Sequence, residues 1–244
     1  MSANPELSAP VALVTGATSG IGREVARKLA ADGFTVLVHG RDAARGAAVA
    51  DEITAGGGQA RFIAADLTDV SGIERLADAA GDVDVLVNNA GFSWFGPTAD
   101  LAPATFDQLF AANVRSAYYL VAAIAPRMAK RGTGSIINLG SMAGQIGLAG
   151  GAAYSATKAA LASLTRSWAA EFSPQGVRVN TVAPGPAYTD GAAPERTEAL
   201  GGTTLFARAA QPEEIADVVA FLASPRAGYI TGAVIAADGG RTAI

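Results

Sequence analysis

VALVTGATSGIG, residues 11–22, opens with four apolar residues and closes on glycines at 16, 20 and 22. A short, nearly continuous apolar run suits a strand buried on both faces of a sheet. The three glycines let the backbone turn tightly and approach a bound group closely. Ile21, Val25 and Leu29 then follow at helical spacing. A helix entered this way offers free N–H groups and the positive end of its dipole, a setting that suits a pyrophosphate. The spacing is Gly-x-x-x-Gly-x-Gly, not the commoner Gly-x-Gly-x-x-Gly, and on its own it also fits a plain strand-to-helix turn.

Six more short runs follow: TVLVHG (35–40), ARFIAADL (60–67), VDVLVNNA (83–90), GSIINLGS (134–141), VRVNTVAP (177–184) and AVIAADGG (233–240). Ala-rich stretches of helical spacing separate them, with Asp69, Pro103 and Pro212 where helices should start. Strand–helix alternation predicts right-handed βαβ units and one doubly wound, parallel, seven-stranded sheet in an α/β fold. No linker or repeat interrupts it, so residues 1–244 read as one domain. The long irregular stretch at about 185–211 reads as a substrate lid.

Composition excludes whole classes of function. Half of the 244 residues are hydrophobic and 16% are charged, which rules out global disorder. The net charge of −4 argues against a nucleic-acid binder. No cysteine is present, so thiol chemistry and thiolate metal sites are excluded. One histidine, His39, argues against a His-based metal site or a Ser-His-Asp triad, and no metal is expected. His39 itself reads as a solvated strand-end residue. No apolar run is long enough to span a membrane. The first ten residues, MSANPELSAP, lack the basic and apolar regions of a secretory signal, and a cytoplasmic protein is expected.

Tyr154 and Lys158 lie four apart on a predicted helix and share one face. An ammonium beside a phenol favours tyrosinate, which predicts a lowered Tyr154 pKa suited to acid–base work. The same pair could be a core tyrosine beside a solvated lysine. Lysine is scarce here: Lys28, Lys130 and Lys158 are the only three.

Taken together these motifs resemble the short-chain dehydrogenase/reductase family, over essentially the whole chain. TGATSGIG (15–22) matches its cofactor loop, NNAG (88–91) the end of its fourth strand, and NTVAPG (180–185) with Thr189 its nicotinamide-side loop. Asn113, Ser141, Tyr154 and Lys158 fall at its catalytic positions. The resemblance implies a three-layer, Rossmann-type fold. It implies a dinucleotide along Gly16, Thr18, Ser19, Gly20, Ile21 and Gly22, with Asp66 and Leu67 at the adenine. Asn88, Ala90 and Gly91 would flank the adenosine ribose, and Pro184, Gly185, Ala187 and Thr189 the carboxamide. It also implies roles: Tyr154 as proton donor or acceptor, Ser141 bonded to the reacting oxygen, Lys158 on the nicotinamide ribose, and Asn113 positioning a water.

Gly40 stands where NAD-preferring relatives carry an acid and Arg41 follows, so NADP(H) is expected over NAD(H). Asp42 reads as a helix cap. Phe92, Trp94, Phe95, Met142, Gln145, Ile146, Tyr188 and Phe206 are expected around the substrate, with Trp94, Met142, Gln145, Tyr188, Ser141 and Tyr154 as its contacts, and they suggest an uncharged ketone or secondary alcohol. A 3-oxoacyl-[acyl-carrier-protein] reductase is the alternative, with Arg127, Lys130 and Arg131 as a basic cluster. A non-catalytic dinucleotide scaffold or sensor would carry a damaged tetrad, and all four positions are present. Small residues at Ala156, Ala160, Ser163, Ser167 and Ala170 form a second stripe on the Tyr154 helix. The stripe also fits a plain Ala-rich helix packed on its own sheet; the resemblance implies that this helix and the one expected over Phe106–Arg131 pair between subunits, in a homotetramer.

Overall fold

The seven runs form seven strands: β1 (Val11–Val14), β2 (Thr35–Gly40), β3 (Gln59–Ala64), β4 (Val85–Asn88), β5 (Gly134–Leu139), β6 (Val177–Pro184) and β7 (Val234–Ala237). In this computed structural model, residues 9–191 and 193–244 are described. Most of the amino-terminal segment read above, and Ala192 of the expected lid, lie outside the described residues. The strands make one parallel sheet in the order β3-β2-β1-β4-β5-β6-β7. The order reverses direction between β1 and β4, which opens a crevice at the carboxyl ends of those strands.

Successive residues of a strand point to opposite faces, so each face has its own core. Ala12 and Val14 of β1 pack on one side with Val36 and Val38 of β2. That face is covered by α1 (Gly20–Ala31), α2 (Ala43–Ala55) and α8 (Pro212–Ala223). Leu13, Leu37, Leu86 and Ile136 point the other way. They meet α3 (Val70–Ala80), α5 (Ser116–Arg131) and α6 (Ala152–Phe172). The result is a Rossmann-type fold of three layers.

Helix starts follow local chemistry. Asp69 caps α3 by accepting from the Ser71 amide, and Pro103 and Pro212 open α4 (Pro103–Phe110) and α8. The expected single helix over 106–131 differs from the structure. A π-helical turn, Ala111–Arg115, separates α4 from α5 while the axis continues. Asn113 sits in that turn, and π-turns inside helices recur at functional sites. The stretch at 185–211 is not irregular throughout. It contains α7 (Pro194–Gly201) and is closed at its base by a bridge between Ala187 and Ala210.

Candidate active site

The crevice is a cleft of about 350 Å³ bordered by Gly16, Ser19, Gly20, Ile21 and Gly22. Gly16 has φ +63° and Gly20 φ +53°, a region that favours glycine. A Cβ on Gly22 would come within 2.3 Å of the Gly16 carbonyl oxygen, so the turn closes only with glycine there. Ser19 precedes α1 without capping it by its side chain, which leaves the first N–H groups of the helix available. An uncapped helix start in a cleft fits a dinucleotide pyrophosphate.

Two residues that sequence reasoning passed over hold this loop against β4. Thr15 Oγ1 accepts from the Asn89 and Ala90 amides, both at 2.9 Å. Asn89 Nδ2 donates to the carbonyls of Thr15 (2.9 Å) and Gly16 (3.0 Å). Asn88 turns the other way. It is buried, and its Nδ2 donates to Asn138 Oδ1 at 2.9 Å within the sheet. Leu67 packs in the core, and Asp66 accepts from the Thr68 amide (3.0 Å) and hydroxyl (2.8 Å). Gly91, Pro184, Gly185, Ala187 and Thr189 border the cleft.

Ser141, Tyr154 and Lys158 meet in the same cleft. Lys158 is buried, its Nζ donates to the Leu139 carbonyl at 2.7 Å, and it lies 5.7 Å from the Tyr154 ring centroid. Burial lowers its pKa to about 8. The expectation for Tyr154 needs correction. Loss of hydration in the cleft pushes the phenol above its ordinary value, with the Ser141 hydroxyl opposing, and Lys158 does not lower it. Spacing revealed the neighbour but not the burial, and burial dominates.

Asn113 joins the group from the π-turn. Its Oδ1 accepts from the Phe92 amide at 3.0 Å, and its Nδ2 donates to the Phe92 carbonyl (2.9 Å) and to Thr157 Oγ1 (3.1 Å). It therefore fixes the loop after β4 to the helix that carries Tyr154 and Lys158. Of the remaining expected substrate contacts, Met142 is buried, Gln145 is exposed and Trp94 packs across Gly96. Tyr188 is tied to Ala210 through its amide at 3.0 Å. None of the four borders the cleft, whereas Phe92 and Ser93 do. Phe95 stands beside Tyr154 with ring centroids 5.5 Å apart, and Arg196 of α7 lies 3.8 Å over the Phe95 ring.

At the far end, Asp42 caps α2 by accepting from the Arg45 amide (3.0 Å) and pairs with the Arg45 guanidinium (2.9 Å). Arg41 is exposed and has no ion-pair partner among the described residues. His39 is not solvated as expected but is 2% exposed.

The family model for short chain dehydrogenases matches residues 10–200. The chain belongs to the short-chain dehydrogenase/reductase family. Among curated members, galactitol 2-dehydrogenase (L-tagatose-forming) of Cereibacter sphaeroides is 39% identical, with 97% of this chain and 96% of that one covered. The 3-oxoacyl-[acyl-carrier-protein] reductase of Staphylococcus aureus is 38% identical over 94% and 96%. A solved short chain dehydrogenase/reductase family protein is 51% identical at TM-score 0.90, covering 98% of this chain and 100% of that one. A blue fluorescent protein from a metagenomic library, in complex with NADPH, is 37% identical at TM-score 0.90 over 96% and 98%. A 7α-hydroxysteroid dehydrogenase with NADH and 7-oxo glycochenodeoxycholic acid is 36% identical at TM-score 0.90 over 96% and 94%. This short-chain dehydrogenase/reductase is thus an oxidoreductase by family.

Proposed function

We propose that this enzyme interconverts a ketone and a secondary alcohol with NADP(H), and that Tyr154 donates and accepts the proton. The observation that carries the reading is the meeting of Ser141, Tyr154 and Lys158 with the uncapped start of α1 in one cleft. The bound nicotinamide supplies or takes the hydride. The α1 N–H groups hold the pyrophosphate, and Lys158 holds ribose hydroxyls. Ser141 orients the substrate oxygen by a hydrogen bond. The buried phenol is protonated at neutral pH and so carries the proton that reduction delivers to the carbonyl oxygen. Asn113 keeps the loop and the helix in register. The segment at 185–211, with α7, acts as the lid of a single catalytic domain. A carbonyl panel followed at the reduced-nicotinamide absorbance tests the reaction class, and no oxidation of NADPH or NADH with any member would reject it.

Preference for NADP(H) is supported by three features. A Cβ at Gly40 would come within 2.4 Å of the Thr18 methyl, so an acidic side chain does not fit there without a shift. Asp42, the nearest carboxylate in sequence, is engaged with Arg45. Arg41 is left to meet a 2′-phosphate by paired N–H donors. Arg41→Asp should weaken NADPH binding by about 1.5–3 kcal/mol while changing NADH much less. An unchanged ratio of kcat/KM for the two cofactors would remove Arg41 as the selector.

A carrier-protein substrate is the second reading, favoured by the Staphylococcus aureus relative. The basic cluster gives it little support. Arg127 pairs with Asp78 at 3.2 Å, and Arg131 pairs with Asp82 at 2.9 Å. A small-molecule carbonyl compound is therefore the preferred substrate, and comparing acetoacetyl thioesters with simple ketones separates the two.

A further inference from the structure

His39 is the last residue but one of β2, its ring is enclosed, and the reaction described above leaves it without a role. Its Nδ1 accepts from the Gly16 amide at 3.2 Å, and its Nε2 lies 3.2 Å from the Ala65 carbonyl oxygen. An amide N–H only donates and a carbonyl only accepts. The two partners together require a neutral imidazole with its proton on Nε2. Gly16 opens the turn into α1, Ala65 precedes Asp66, and Gly40 and Arg41 follow His39 directly. One ring thereby fastens the carboxyl ends of β1, β2 and β3, the three segments that face the adenosine half of a dinucleotide.

We infer that His39 is a positioning residue for adenosine binding, holding the Gly16 turn against the end of β3 in a single imidazole tautomer. This rests on the dinucleotide reading above. The charged groups that act on the ring are Asp66, which favours protonation, and Arg41, which opposes it. Burial outweighs both, together with the favourable Ala65 carbonyl, and holds the pKa down to about 4. The ring thus stays neutral at physiological pH. Protonation would put a second N–H against the Gly16 amide and break the tie.

The chain has a single histidine, so ring-nitrogen NMR of the whole protein reads this group without assignment. The expected spectrum is the neutral Nε2–H tautomer, with no titration near the ordinary pKa of about 6.5. An Nδ1–H tautomer, or titration near that value, would overturn the inference. Calorimetry with adenosine 2′,5′-bisphosphate and with nicotinamide mononucleotide then tests the role. His39→Leu bares the Gly16 amide and should weaken adenosine bisphosphate about tenfold, the effect of losing one buried hydrogen bond. The mononucleotide should change far less, and the KM for NADPH should rise more than kcat falls. His39→Gln, whose side-chain amide does not titrate and can both accept from the Gly16 amide and donate, should recover part of the loss. Equal weakening of both fragments in step with thermal stability would show a merely structural residue. Unchanged fragment affinity in His39→Leu would overturn the role of His39 alone. Wild-type protein that binds neither fragment would instead overturn the dinucleotide reading.

Discussion

The Lys158 ammonium is buried, and among the described residues it makes one hydrogen bond, to the Leu139 carbonyl. Its pKa falls from 10.5 to about 8, so the charged form is disfavoured in the folded state. Below pH 8 both folded and unfolded chains hold the proton and the full cost, at most ~3 kcal/mol, is present. Between 8 and 10.5 the folded chain releases its proton first, and stability rises with pH. Lys158→Met should therefore stabilise the cofactor-free protein at pH 7 in urea denaturation while abolishing turnover. The gain should fade as pH rises through that window. A variant less stable than wild type at pH 7 would contradict the assignment of cost. The Tyr154–Lys158 pair was legible because helical spacing alone places it. The direction of the Tyr154 shift and the burial of His39 were not. The first depends on the burial of the phenol in the folded cleft, which outweighs the opposing Ser141 hydroxyl, and the second on Gly16 and Ala65, which reach the ring from other strands.

At the scale of elements, the strands are the legible part, since each is a short apolar run bounded by turn residues. The π-turn at Ala111–Arg115 escaped notice because nothing local encodes it. Asn113 is held by Phe92 and Thr157, which arrive from other elements. The segment at 185–211 was legible as one long connection, but the contact that seats α7 was not. Arg196 rests over Phe95, and Phe95 in turn packs beside Tyr154. An exposed cation–π contact is worth about 0.5–1 kcal/mol. Arg196→Ala should loosen α7 and raise the KM for the carbonyl substrate about two- to fivefold, with a smaller effect on kcat. Steady-state kinetics on one ketone decides it, and an unchanged KM would detach the stack from substrate binding.

For the whole molecule, strand–helix alternation carried the sheet, its parallel sense and its layers. Which exposed surfaces bind further copies is a proposal. The stripe at Ala156, Ser163, Ser167 and Ala170 is exposed on α6, and Tyr118 (47%) and Tyr119 (42%) are exposed on α5. Small side chains let a partner helix approach closely, and exposed tyrosines suit an interface. Light scattering should show a tetramer at micromolar concentration, and a stable monomer would reject that assembly. In the proposed reaction one cleft carries out hydride exchange with Tyr154 as its acid. The direct test is single-turnover oxidation of bound NADPH by the best ketone in wild type and Tyr154→Phe, with NADPH affinity measured alongside. Removing one positioned acid should slow the step about 10²–10⁴-fold while NADPH affinity stays close to wild type. A Phe variant that turned over at the wild-type rate would contradict the account.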